Sequence, residues 1–214
     1  MSQQHWDERY RDERYLFGER PNDFLVEAEI MLPRRSRVLV LGDGEGRNGV
    51  WLAQQGHDVT TVDLSEVGAA KARRLAESRG VTIEAHVADL AKFVGSPAAR
   101  GPWDGIVSIF CHLPAALRAE VGRALTPELS ARGSLIIESY TPAQIGLGTG
   151  GPSDESVLLT RDRVLADWPD LVLDCKVLER RIFEGHGHQG LSAVIQVLGR
   201  RPATTPRRGE HADG

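Results

Sequence analysis

The chain has 214 residues, 41% of them hydrophobic and 26% charged, proportions ordinary for a globular protein with one good-sized core. A net charge of -4 argues against non-specific nucleic-acid binding, which calls for a basic balance. Two cysteines, Cys111 and Cys175, make no disulfide framework. No apolar stretch approaches a membrane span and residues 1–30 are too charged for a signal peptide, so a cytoplasmic protein with no membrane partner is expected.

Residues 4–17 set Trp6, Tyr10 and Phe17 among alternating charges, a weak amphipathic helix pattern. Pro21 and Asn22 open a second helix carrying Phe24, Leu25, Ala28 and Met31, and Pro33 ends it. From Arg37 the chain alternates: strand 37–41, helix 47–55, strand 58–62, helix 66–79, strand 81–86. Strand 104–110, helix 114–126 and strand 134–139 continue the rhythm, with Ser65 an N-cap and Gly80 a stop for helix 66–79. Such alternation implies an α/β, doubly wound and mostly parallel sheet covered on both faces. Residues 140–156 then form a Gly- and Pro-rich loop of a length that is often functional. After a short helix, 160–168, two strand-like segments at 171–183 and 191–199 flank EGHGHQG, which makes them an antiparallel hairpin and brings the strand count to seven. Residues 201–214 lack apolar groups, and a disordered tail is expected there.

The chemistry is concentrated at VLVLGDGEGRN, residues 38–48, and at Asp63, which ends the next apolar run. Glycines at a strand end let backbone approach a ligand, and a carboxylate at the following strand end suits ribose hydroxyls. That layout points to an adenosine-containing cofactor. Gly44, Gly46 and Gly49 fit the dinucleotide spacing, but Gly42 is the residue that directly follows the strand, and the third position counted from it is Arg47. The alternate register Gly42, Gly44, Gly46 fits the strand end better, and a closing antiparallel hairpin points away from the dinucleotide fold.

Taken together, Phe17-Gly18, PNDFL at 21–25, LGDGEGRN at 41–48, VDLS at 62–65, Ala88-Asp89-Leu90, WDGIVSIFCHLP at 103–114 and EGHGHQG resemble the class I S-adenosylmethionine-dependent methyltransferases. They are similar in particular to the small-molecule group around tellurite-resistance and thiopurine methyltransferases. The resemblance covers about residues 5–200. It implies a single Rossmann-like methyltransferase domain, with a helical lid over 1–33 and a core over 34–200. It also implies S-adenosylmethionine as cofactor and S-adenosylhomocysteine as product. Gly42, Asp43, Gly44, Gly46, Arg47, Asp63 and Leu64 would hold the cofactor, Asp89 and Leu90 its adenine, and Phe110 to Pro114 its methionyl part. Many members carry an acid two positions before the first glycine; here Val40 stands there, and Asp43 is the residue that could partly replace it.

On this reading a small-molecule nucleophile, a thiol, selenol or metalloid oxyanion, receives the methyl group by direct displacement, in a monomer or homodimer with no nucleic-acid partner. His112, His186 and His188 are the candidate catalytic residues, with Glu184 beside them and Glu138 a further candidate base. His112 could equally cap the following helix, and EGHGHQG could be a plain polar turn. Alternate histidines plus a carboxylate can ligate zinc, but no obvious fourth ligand is supplied, and no metal is expected. Trp6, Tyr10, Tyr15 and Phe17 suit a water-excluding lid or a docked helix. Arg9, Arg14, Arg180 and Arg181 could attract an anionic acceptor or lie in solvent. The alternatives are nitrogen or oxygen methylation of a small metabolite, a nicotinamide-dependent oxidoreductase, and a non-catalytic cofactor-binding protein.

Overall fold

The computed structural model describes residues 2–202; Met1 and 203–214, and with them nearly all of the expected disordered tail, lie outside the described residues. Strand β1 (Arg37–Leu41) matches its expected bounds and, from Val38 on, is buried on both faces, as a central parallel strand must be. Its side chains alternate. Leu39 and Leu41 pack with Trp103, Ile106 and Leu125, while Val38 and Val40 pack with Phe24, Leu25 and Leu52 on the other face.

The remaining strands are β2 (Asp58–Asp63), β3 (Glu84–Val87), β4 (Trp103–Ile109), β5 (Leu129–Tyr140), β6 (Val172–Glu184) and β7 (His188–Arg200). They form one seven-stranded sheet in the order β3-β2-β1-β4-β5-β7-β6. β1 to β5 are parallel, and β7 runs antiparallel between β5 and β6. β6 therefore points the same way as β5. The turn after it comes to the carboxyl edge beside the loops that follow β1, β2 and β4.

The helices are α1 (Gln3–Arg9), α2 (Asp23–Ala28), α3 (Arg47–Gln54), α4 (Glu66–Ser78), α5 (Leu90–Phe93), α6 (Ala115–Leu125) and α7 (Arg161–Asp167). Ser65 caps α4 as expected, its hydroxyl accepting from Gly68 N at 2.9 Å. Several boundaries differ from the sequence reading; β7, for one, begins at His188 rather than 191, pairing with Glu184 so that the turn is shorter than EGHGHQG. The first helix stops at Arg9 instead of running to 17, because the carbonyls of Tyr10, Asp12 and Arg14 turn to Lys71 Nζ instead of continuing helical bonds. β3 begins at Glu84 rather than 81, since Val81 N is still engaged by Ala76 O at the end of α4. β5 begins early, at Leu129, which pairs with Trp103.

Candidate functional site

The carboxyl edge holds a cavity of about 430 Å³, within the roughly 300–1,000 Å³ usual for small-molecule sites. Gly42, Asp43, Gly44, Arg47, Asp63, Leu64, Asp89, Leu90 and Phe110 all line it, as do His112 and His188. Gly46 and His186 do not. Gly46 opens α3 with φ of 91°, and a Cβ there would lie 2.5 Å from Ala72 Cβ. Its lack of a side chain lets α3 sit against α4, so it shapes the crossover instead of touching a ligand. His186 is exposed on the outer side of the β6–β7 turn; only its backbone is used, with N donating to Leu16 O at 3.0 Å. The two histidines of EGHGHQG thus part company across an extended turn.

Asp63 sits where β2 ends, its Oδ2 accepting from Gly44 N at 2.8 Å and its Oδ1 from Ser65 N at 2.9 Å. Each oxygen keeps acceptor capacity for a further donor. Burial raises its pKa, against the lowering effect of those backbone bonds. Asp43 is fully enclosed, with both oxygens near Gly49 N at 3.2–3.3 Å, and burial pushes its pKa up to about 7. Val40 contributes nothing polar, being buried in the apolar cluster with Leu25 and Leu52. Asp89 caps α5 through Ala91 N at 2.9 Å and still lines the cavity, so capping does not remove it from the site.

At the other end, beyond β4, stand the rings of Phe17, Phe110, His112, Tyr140 and His188. Phe110 lies 4.6 Å from Tyr140 and 4.8 Å from His188, and Phe17 lies 4.5 Å from His188. His112 stacks on Tyr140 at 5.7 Å, and burial followed by the nearby His188 lowers its pKa to about 3. It is neutral and does not cap α6, which starts after Pro114 without a side-chain cap. Gly150, Gly151 and Pro152 complete the wall, held through Gln144, whose Nε2 donates to Gly150 O at 2.9 Å.

A buried polar network behind this wall was not legible in the sequence. Asn22 caps α2 with its oxygen and donates through Nδ2 to Glu138 at 2.6 Å and Glu184 at 2.8 Å. Glu184 also accepts from Arg47 Nη2 at 2.7 Å. Glu138, a candidate base from sequence, is committed instead to Arg180 at 2.7 and 2.9 Å and to Gln196 at 2.8 Å. Arg180 is accordingly an internal partner. Arg14 is solvated beside Asp12, Arg181 is exposed, and Arg9 alone of the four lines the cavity. Trp6, Tyr10 and Phe17 line it too, whereas Tyr15 points to Lys71 O at 3.2 Å.

Comparison with known proteins relates part of the chain to one family. Residues 38–128 match the family described as a methyltransferase domain. Ribosomal RNA small subunit methyltransferase C of Chromohalobacter salexigens is 38% identical over 76 residues, 36% of this chain and 21% of that protein. The chain thus spans about a fifth of that curated relative's length. The structure describing conversion of a disulfide bond into a thioacetal group during echinomycin biosynthesis aligns with TM-score 0.74 at 19% identity, over 95% of this chain and 94% of that one. TehB from Haemophilus influenzae aligns with TM-score 0.65 at 18% identity, over 94% and 67%. At these identities the structural likeness describes the fold.

Proposed function

We propose, from the match of residues 38–128 to a methyltransferase-domain family, that the whole chain is an S-adenosylmethionine-dependent methyltransferase acting on a small-molecule nucleophile. The observation that carries this reading is the single cavity running from the Asp63 and Asp89 carboxylates, past the Gly42 and Gly44 backbone, to the ring cluster at Phe110, His112 and His188. A nucleoside with a polar tail fits that sequence of surfaces. Asp63 takes the ribose hydroxyls and Asp89 with Leu90 the adenine, while Gly42 and Asp43 meet the methionyl end. Asp43 stands in for the acid absent at Val40. When bound, the sulfonium supplies an already activated methyl group.

The chain's own contribution is alignment and exclusion of water, which can account for about 7–11 kcal/mol of a displacement barrier. Phe17, Phe110 and the glycine segment 150–151 wall off the space beside the methyl, leaving room for a small acceptor rather than a polymer. The net charge of -4 supports the same preference over RNA. A thiol or selenol fits this apolar, aromatic space. The antiparallel β7 between β5 and β6 is also unlike the usual dinucleotide sheet, which disfavours a nicotinamide-dependent oxidoreductase. Thermal unfolding with S-adenosylhomocysteine, S-adenosylmethionine and NAD tests the reading, because a ligand bound only by the native state raises the midpoint. The first two are expected to raise it; a rise with NAD alone would overturn the proposal.

A further inference from the structure

We propose that His188 is the general base of methyl transfer, held by Glu184 so that an unprotonated Nε2 meets the acceptor, and that the acceptor is a neutral molecule bearing an S–H or O–H group. This rests on the methyltransferase reading above.

The hairpin turn brings Glu184 and His188 into register as its closing pair, with Nδ1 3.1 Å from Glu184 Oε2. Glu184 is pinned from two other elements, by Arg47 of α3 at 2.7 Å and by Asn22 before α2 at 2.8 Å. Although burial works against ionisation, the bonds from His188 and Arg47 bring its pKa down to about 2. A carboxylate only accepts, so the proton between the two residues sits on Nδ1, and the neutral ring presents a lone pair at Nε2. Nε2 has no partner among the described residues and is not sealed, in contrast to the sealed and unpartnered His112 Nε2. The ring itself is fixed between Phe17 and Phe110 on the cavity wall. The charged and titratable groups facing His188 are Glu184, Arg47, Arg9 of α1, His112 after β4 and Tyr140 of β5. Burial, followed by the opposing pull of Glu184, leaves its pKa below the ordinary 6.5, so the free base prevails at neutral pH.

The charges choose the acceptor. Arg47 is engaged by Glu184, and Arg9 stacks on Trp6 at the mouth. Beside His188 a preformed oxyanion would meet the Glu184 carboxylate, with Arg47 already paired to it; Arg9, which also lines the cavity, is exposed on α1, so the buried wall favours a neutral X–H. A neutral X–H gives its proton to Nε2 while the X lone pair forms the bond to the methyl carbon. The carbon–sulfur bond breaks with its electron pair staying on sulfur, yielding X–CH₃, neutral S-adenosylhomocysteine and an imidazolium paired with Glu184. Solvent then takes the proton.

The test compares wild type, His188→Gln and Glu184→Gln on benzyl mercaptan and phenol, both protonated at neutral pH, on thiophenol, already ionised there, and on tellurite. Affinity for S-adenosylhomocysteine is measured by calorimetry throughout. The expected result is methylation of benzyl mercaptan or phenol, reduced about 10²- to 10⁴-fold in kcat by His188→Gln. Thiophenol turnover, which needs no proton removed, should fall at least about tenfold less than that of the protonated probes, with S-adenosylhomocysteine still bound, as expected for a group acting in proton transfer. Equal loss on thiophenol, no loss on the protonated probes, or turnover of tellurite alone would overturn the proposal. So would a protein that binds S-adenosylhomocysteine and methylates none of the probes. Nitrogen NMR of wild-type His188 adds a readout independent of turnover: an Nδ1–H tautomer at pH 7 is expected, and an Nε2–H tautomer overturns it. Failure of wild type to bind S-adenosylhomocysteine would instead sink the methyltransferase reading itself.

Discussion

Asp43 and Glu184 are both buried carboxylates near the cavity, yet their surroundings push them in opposite directions. Asp43 has weak backbone donors and no engaged cation, so burial dominates and its pKa rises from 3.8 to about 7. Glu184 has an arginine, an amide and an imidazole, which outweigh burial and lower it from 4.5 to about 2. The linkage signs follow. Between pH 4 and 7 the folded chain holds a proton on Asp43 that the unfolded chain has lost, so this residue's contribution falls as pH rises through that window. Glu184 contributes fully above pH 4.5, and its share is lost as pH falls toward 2. For the ligand-free protein, Asp43→Asn should remove a stability decline of at most roughly 4 kcal/mol between pH 4 and 7, because a tenfold difference in proton affinity between folded and unfolded chains corresponds to about 1.4 kcal/mol. Urea midpoints at three pH values in that window provide the measurement. An unchanged slope in the variant would show that Asp43 is ionised throughout.

The segment from Tyr10 to Asn22 shows how an irregular element is held without regular backbone pairing. Lys71, almost wholly buried on α4, reaches the carbonyls of Asp12 and Arg14 at 2.8 Å each and ion-pairs with Glu45. Glu45 in turn accepts from Leu16 N at 2.7 Å. Removing one member strands a buried charge, so Lys71→Met should cost about 3–5 kcal/mol, and the double change with Glu45→Gln should recover much of it. A double-mutant cycle in urea checks the coupling; additivity of the two changes would mean that the pair does not act as a unit. The same strap crosses the β6–β7 turn, where Leu16 O accepts from His186 N and Gly187 N at 3.0 Å. Gly185 has φ of 56°, and a Cβ there would lie 2.4 Å from Gly18 N and Leu16 O. Gly185→Ala is therefore expected to lose about 1–3 kcal/mol through backbone strain and to lift the strap. Faster proteolytic cleavage within residues 10–22 would register that lift, and wild-type cleavage rates would exclude it. Gly185 and Gly187 thus serve docking of a segment distant in sequence, at Leu16 to Gly18.

At the level of the molecule, the parts set by short-range pattern were legible and those set by long-range meeting were not. β1 matched residue for residue, and α3, α4 and α6 agreed within a residue or two at their ends, because apolar period and caps are local. Gly42, Gly44, Asp63 and Asp89 fell into place on the cavity because strand ends of a parallel sheet share one edge. Asn22, Arg47, Glu138 and Glu184 could not be joined in advance, since they lie on four elements up to 162 residues apart. The same topology lines one side of the cavity with three separate segments: the strap at 10–18, the glycine loop at 146–152 and the turn at 185–190. They are tied to one another, the strap to the turn at Leu16 O and the turn to the loop by Gln189 N donating to Thr149 O at 3.1 Å. The ties make it easier for all three to move together than singly. Such a unit should exchange amide hydrogens with one common opening free energy. Saturating S-adenosylhomocysteine binds the closed form, so at a hundredfold excess over Kd it should slow exchange in all three segments by about 2.7 kcal/mol alike. Protection confined to one segment, with the other two unchanged, would show that the cover moves in independent pieces.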